Sequence, residues 1–170
     1  MGTCGPTGDV DGSVSRDGGS DALLPPGCAS GKDPKDDAAC VTDAKGVFVK
    51  QGAVGGDGTK AKPFGTIQEG VAKASGRAVF VCEGNYAETL ELSGAVALYG
   101  GFDCVTFAHA GKKSALVSPN TTAITVKSGA AVVLQDLRAM LPQPVFAFTL
   151  RRATNIHWQA LSVYKGARAA

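Results

Sequence analysis

The feature that most constrains the fold is the order of short segments between Gly46 and Cys104. A brief apolar strand is followed by a glycine-rich loop, a capped helix and further short runs of alternating apolar residues. These runs are residues 78–81, 89–92 and 96–99, and single glycine-bearing turns separate them. Hairpins would show Asn-Gly or Asp-Gly between paired runs, so this order favours short parallel strands wound in successive coils.

A helix is predicted near residues 66–75. Thr66-Ile-Gln-Glu69 has the spacing of a capping box, and Gly76 stands where a helix would stop. Ile67, Val71 and Ala74 fall on one face, so the helix is amphipathic. Because two to three turns are marginal alone, we expect this face to cover the open N-terminal end of the strand stack.

The N-terminal region differs in composition from the rest of the chain. Large apolar side chains are few there, which predicts a disordered Gly/Asp-rich tether over residues 1–31 and a folded domain over residues 32–170. Residues 1–46 carry four basic and eight acidic residues, and the remainder carries 13 and 7. The basic residues of the domain are scattered, so nucleic-acid binding is not expected.

The sequence contains no pattern typical of a cofactor or a metal centre. The glycine-rich loop at residues 52–60 lacks the order of a phosphate loop, because Thr59 precedes Lys60 and Pro63 follows before the helix. His109 has no companion ligand nearby in sequence. We therefore predict no cofactor, no metal and no catalytic constellation.

Two internal similarities indicate repeated coils. Residues 132–137 align with residues 156–161 at an offset of 24, and residues 90–92 align with residues 124–126 at an offset of 34. Fixed periods in this range are typical of solenoids. Pro142 and Pro144 cannot donate ladder hydrogen bonds, so residues 140–144 are predicted to form a loop.

Five cysteines occur without a C-x-x-C pair, which argues against zinc and thioredoxin-type chemistry. By proximity we pair Cys28 with Cys40 and Cys82 with Cys104, which implies an oxidising, extracytoplasmic compartment. Buried free thiols are the alternative. Cys4, followed by Gly-Pro-Thr-Gly-Asp, resembles the lipid-bearing end of a bacterial lipoprotein, so a lipid anchor at Cys4 is the one membrane attachment predicted.

The segment from Val47 to Cys104 resembles the right-handed parallel β-helix proteins of the pectin-lyase-like group, in particular DUF1565-type envelope proteins of myxobacteria. The resemblance is carried by residues 47–49, 57–59, 63–67, 79–88 and 98–102. It implies a mainly β fold, with a short α-helix capping the N-terminal end of the coils. No C-terminal cap follows residues 162–164, so the β-helix is expected to be either truncated or covered there.

Two functions follow from this resemblance. The first is a non-enzymatic, secreted or envelope-tethered protein whose β-helix binds or supports a polysaccharide or another envelope component. The second is a small or degenerate polysaccharide lyase or glycoside hydrolase, which would need two carboxylates and a basic residue on one sheet face. Candidate outward or turn residues are Glu91, Asp103, Lys127, Gln135, Asp136 and Arg138. Glu88 is expected to bind the backbone amides of its own turn, and Trp158 to be buried beside His157.

Overall fold

The computed structural model describes residues 32–142, together with the backbone of three later strands. The chain is mainly β, with a 3-10 turn at Ala38–Cys40 and one α-helix, α1, at Ile67–Lys73. The strands are β1 Gly46–Val49, β2 Ala78–Cys82, β3 Gly84–Tyr86, β4 Leu90–Leu92, β5 Ala95–Phe102, β6 Ser114–Val117, β7 Ile124–Val126, β8 Ala131–Gln135, β9 Leu137–Leu141, β10 Phe148–Leu150, β11 Asn155–Gln159 and β12 Ser162–Lys165.

These strands form three parallel sheets. Sheet A has the order β1-β2-β5-β8-β11, sheet B has β12-β9-β6-β3, and sheet C has β10-β7-β4. From β2 onward the chain visits A, B and C in rotation, so each strand pairs with the strand one circuit later. Every pairing between the strands named above is parallel, which confirms the predicted parallel sheets.

The two sequence similarities correspond to strand pairings. Leu90 lies in register with Ile124, and Val132 lies in register with Ile156. The offsets of 34 and 24 residues are therefore the lengths of two circuits of the chain. The predicted loop at residues 140–144 is wrong for its first two residues, since β9 continues to Leu141, and residues 143 and 144 lie outside the described part of the chain.

Side chains from all three sheets meet in one apolar core, which we call the inner cluster. Residues of β1 to β9 point into it, such as Val47 and Val49 of β1 and Leu90 and Leu92 of β4. Burying an aliphatic side chain of this size contributes about 1.5–3 kcal/mol. The inner cluster is therefore the main source of stability in the described residues.

The first strands of sheet A are also buried on their opposite face. A second group, the outer cluster, contains Phe48, Phe80, Phe102 and Phe107, with Tyr99 packed against it. The rings of Phe48 and Phe107 meet edge to face, with centroids 4.8 Å apart. Since both faces are covered, β1, β2 and β8 are buried throughout, and their sequences do not alternate in polarity.

The first strand of each sheet, β1, β3 or β4, has one edge without a neighbouring strand, and loop backbone or side-chain amides form hydrogen bonds with these edges. Beside β1, the amide of Phe48 donates to the Gly58 carbonyl at 2.8 Å. Beside β3, the Gln51 carboxamide accepts from the amide of Asn85 at 3.0 Å. Beside β4, the Gln68 carboxamide accepts from the amide of Glu91 at 2.9 Å and donates to its carbonyl at 3.4 Å. Open edges invite pairing with other chains, and these contacts occupy them.

Helix α1 begins as the sequence predicts. The Thr66 hydroxyl accepts from the amide of Glu69 at 3.1 Å, and Gly76 adopts a positive φ of 81° beyond the helix end. The first two amides, of Ile67 and Gln68, donate to the Glu88 carboxylate at 2.7 and 2.9 Å. Glu88 thus binds backbone amides as predicted, but those of the helix and not those of its own turn.

Replacing Glu88 with glutamine is expected to destabilise the fold by about 1–2 kcal/mol. The carboxylate offers two acceptor oxygens and a negative charge to the helix amides, whereas the glutamine amide offers one acceptor oxygen and is neutral. Chemical denaturation would measure the change. Glu69→Gln is the matched control, since Glu69 is also acidic and lies in the first turn of α1 but is exposed. Equal losses in the two variants would refute a specific role for Glu88.

Candidate functional site

Within the described residues, a group of charged side chains lies at the corner between sheets A and B. Gly84, Ser114 and Leu137 share one register position on sheet B. The residues just before them, Glu83, Lys113 and Asp136, therefore line up along the corner in three consecutive circuits. With Lys112 and His109 they form what we call the corner cluster.

The members of the corner cluster neutralise one another. The Lys112 ammonium lies 2.7 Å from the Glu83 carboxylate, and this contact raises the pKa of Lys112. The Asp136 carboxylate lies 3.1 Å from His109 Nε2 and 3.6 Å from Lys113 Nζ. The side chains of His109 and Asp136 are only 18% and 16% exposed, whereas that of Lys112 is 67% exposed. His109 and Asp136 are thus the sheltered part of the cluster.

Asp136 has a backbone conformation that is uncommon for its residue type. It connects β8 to β9 with a φ of 50°, in the left-handed region. A non-glycine residue there costs of order 1–2 kcal/mol, although aspartate tolerates it better than most. The turn directs the Asp136 carboxylate toward His109, and its carbonyl accepts from the amide of Ser114 at 3.1 Å.

The corner also requires glycine at position 101. A Cβ there would lie 2.2 Å from the Lys112 carbonyl oxygen and 3.2 Å from His109 Nε2, and the residue has a φ of 80°. From sequence, the glycine pair at residues 100 and 101 predicts no more than a turn after a short strand. In the structure it allows the loop between β5 and β6 to lie directly against the corner.

That loop, residues 103–113, carries His109 and is anchored at its start. A disulfide joins Cys82 to Cys104, as predicted. One oxygen of Asp103 accepts from the amides of Val105 and Thr106 and from the Thr106 hydroxyl, at 2.8–3.0 Å. The rings of His109 and Phe102 meet edge to face at 5.7 Å. His109 is thus held over sheet A by a covalent bond, a capped turn and a ring contact.

The hydrogen bonds from Thr106 and Val105 lower the pKa of Asp103 below its ordinary value of 3.8. The charged carboxylate therefore stabilises the fold above that value, and this contribution disappears as the pH falls through the lowered pKa. We expect the melting temperature of Asp103→Asn to decrease less than that of the parent when the pH is lowered from about 5 to about 2. A pH profile of unfolding identical to that of the unmodified protein would contradict this.

The other residues singled out from sequence lie apart from the corner cluster. Glu91 and Lys127 form an exposed ion pair on sheet C, at 2.9 Å. Gln135 is buried and donates to Asp33 at 2.9 Å, which ties the segment before β1 to β8. Arg138 lies in β9 and is partly buried. The predicted candidates are therefore spread over three surfaces, and only Asp136 belongs to the corner cluster.

Several predicted residues fall outside the described part of the chain. Cys4 and Cys28 are among them, so the lipid anchor and the pairing of Cys28 with Cys40 stay predictions, although Cys40 itself is disulfide-bonded. Only the backbone register of β11 is known, in which His157 pairs with Val133 and Trp158 with Leu134. The burial of Trp158 likewise stays a prediction.

Sequence reasoning missed the pairing of His109 with Asp136. The two residues are 27 positions apart and meet only because the loop after β5 folds back across the corner. The useful signal was present in Gly100 and Gly101, which mark a close backbone approach. Glu83 and Lys112 gave no sequence signal, because isolated charges beside strands are usually solvated.

In the described ranges, no three His, Cys, Asp or Glu side chains gather in a way that could hold a metal ion. Nor does any helix there combine the length and apolar character that a transmembrane span requires. No protein-family model, no curated protein and no solved structure matches this chain.

Proposed function

We propose that the chain forms a right-handed parallel β-helix that acts at the cell surface as a non-enzymatic binding or structural protein. Its expected partner is a polysaccharide or another envelope component. The rotation of the chain through sheets A, B and C supports the winding, and connections between parallel strands are right-handed in about 98% of cases.

The contacts of α1 support its role as a cap. Gly70 packs so closely on Val49 and Val79 that a Cβ would approach their methyl groups to 2.6 and 3.1 Å. Both valines belong to the inner cluster. A helix touching inward-pointing side chains of β1 and β2 suits a position across the mouth of the stack, and not against its outer wall.

One observation favours a non-enzymatic role: the carboxylates beside the sheets each have a structural partner. Glu83 and Asp136 pair with cations of the corner cluster, and Glu91 pairs with Lys127. Asp103 accepts from its own turn and Glu88 from α1. A glycosidase needs one carboxyl to protonate the leaving group and another to act as base or nucleophile, both open to substrate.

The proposed location is extracytoplasmic. The disulfide between Cys82 and Cys104 is compatible with an oxidising compartment, since such bonds are rare in reducing cytosol. A lipid on Cys4, joined to the domain by the tether, would hold the β-helix at a membrane surface.

The alternative is a small or degenerate polysaccharide lyase or glycoside hydrolase, and the corner cluster is the observation that favours it. Glu83 and Asp136 precede strands that lie two apart in sheet B, hence about 10 Å apart along the stack. That is just beyond the separation of about 6.5–9.5 Å typical of inverting enzymes. His109 and two lysines lie between or beside them.

The two functions separate in one experiment. The protein is incubated with polygalacturonate and with alginate, and binding is followed by affinity electrophoresis while new reducing ends are counted. We expect retardation without new reducing ends. Reducing ends that disappear in Asp136→Asn, but persist in Glu91→Gln, would establish the enzymatic alternative. If the protein shows no retardation and produces no new reducing ends, polysaccharide is ruled out as the partner.

A further inference from the structure

The loop between β1 and α1 borders a surface cavity that is open to solvent and separate from the corner cluster. Residues 50–56 form one wall and residues 61–63 the other, around a volume of about 470 Å³. Cavities that hold small ligands typically measure about 300–1,000 Å³. The cavity coincides with the glycine-rich segment whose sequence does not match a phosphate loop.

Both walls of the cavity are fixed by hydrogen bonds. The amide of Gln51 donates to the Tyr86 hydroxyl at 3.2 Å, and the Gln51 side chain accepts from Asn85. On the other wall, the Lys62 carbonyl accepts from the amides of Asp57 and Gly58, both at 2.9 Å. A site held in this way needs little ordering when a ligand binds.

Two glycines allow backbone segments at the cavity to approach each other closely. A Cβ on Gly56 would lie 1.9 Å from the Pro63 carbonyl oxygen, and a Cβ on Gly65 would lie 2.2 Å from that of Ala53. Neither glycine has a positive φ, so close approach of backbone explains them. Gly52, Gly55 and Gly58 of the same loop do have a positive φ, so the loop uses its glycines both for left-handed turns and for close approach.

The lining is positively charged and has free donors. Its two charged residues are Lys50 and Lys62, both exposed, and neither forms an ion pair with any of the described residues. Within the same part of the chain, the amides of Gly52, Val54 and Gly55 meet no acceptor. The Val54 side chain is 96% exposed, which supplies an apolar surface at the rim.

We propose that this cavity binds a small sugar that carries one anionic group. The anion lies between Lys50 and Lys62, the loop amides donate to oxygen atoms, and the apolar face of the ring lies on Val54. A carboxylate and a phosphate satisfy this chemistry alike. The proposal does not depend on what the corner cluster binds.

The test is a titration of the full chain with glucuronate, glucose 6-phosphate and glucose, followed through backbone amide resonances. Saturable shifts confined to residues 50–56 and 61–63 are expected with one or both anions, and the tighter anion identifies carboxylate or phosphate as the natural group. Lys50→Gln and Lys62→Gln should each weaken binding about tenfold. Glucose should bind far more weakly.

Lys60→Gln is the matched control. Lys60 belongs to the same loop and carries the same charge, but its ammonium lies over the Phe48 ring at 5.5 Å and does not line the cavity. Binding should be unchanged in this variant, and the melting temperatures of Lys50→Gln and Lys62→Gln should equal that of the parent. The proposal fails if neither anion gives saturable shifts, if Lys60→Gln weakens binding equally, or if glucose binds as tightly as the anions.

Discussion

Replacing Gly101 with alanine is expected to lower the free energy of unfolding by about 3 kcal/mol or more. The added Cβ would lie 2.2 Å from the Lys112 carbonyl oxygen, and it would have to adopt a φ of 80°. Relief of the clash requires movement of the backbone of residues 103–113, and this segment carries His109. Urea denaturation would measure the loss, and the His109 ring resonances would report the displacement.

Gly94→Ala is the control that separates the two causes. Gly94 has a φ of 72°, close to that of Gly101, but a Cβ there would meet nothing within 4 Å. The free energy of unfolding of Gly94→Ala should fall only by the cost of the left-handed conformation, about 1–2 kcal/mol. If both variants lost the same stability, close packing at the corner would contribute nothing.

Removing the disulfide is expected to have a comparable effect. The bond joins residues separated by 22 positions, and the chain-entropy model gives about 3 kcal/mol for a loop of this length. We therefore expect Cys82→Ala/Cys104→Ala to unfold at lower denaturant concentration. Phe107 covers the outer cluster from the loop that this bond anchors, so the double variant should also bind hydrophobic dyes more strongly.

Limited proteolysis offers a second test of the same prediction. Cleavage in the exposed stretch around Val105, which is 84% exposed, should become faster in the double variant than in the parent. Unchanged cleavage and an unchanged unfolding midpoint would show that Asp103 and the aromatic contacts hold the loop without the disulfide.

Sequence patterns were informative wherever local chemistry or repetition determined the structure. The capping of α1 by Thr66 is a contact between neighbours, and the circuit lengths were visible because equivalent strands repeat their apolar positions. Strand β3, by contrast, is Gly-Asn-Tyr, with neither alternation nor β-branched residues. It becomes a strand because β6 lies beside it, which no local pattern could indicate.

The candidate sites were less predictable, because they join residues that are distant along the chain. The corner cluster depends on register across three circuits and on the return of the loop that carries His109. Gln51 and Gln68 likewise pair with strand edges 34 and 23 residues away. Polar residues in loops have too many possible partners for composition alone to select one.

Every site described above depends on strands that pair one circuit apart in the same direction. The most direct test is the pattern of interstrand proton contacts in a nuclear Overhauser spectrum of the labelled full chain. Contacts are expected between Leu90 and Ile124 and between Val132 and Ile156, in the parallel pattern. Close Hα–Hα contacts between β4 and β5 across Gly94, as in an antiparallel hairpin, would contradict the parallel winding and the sites built on it.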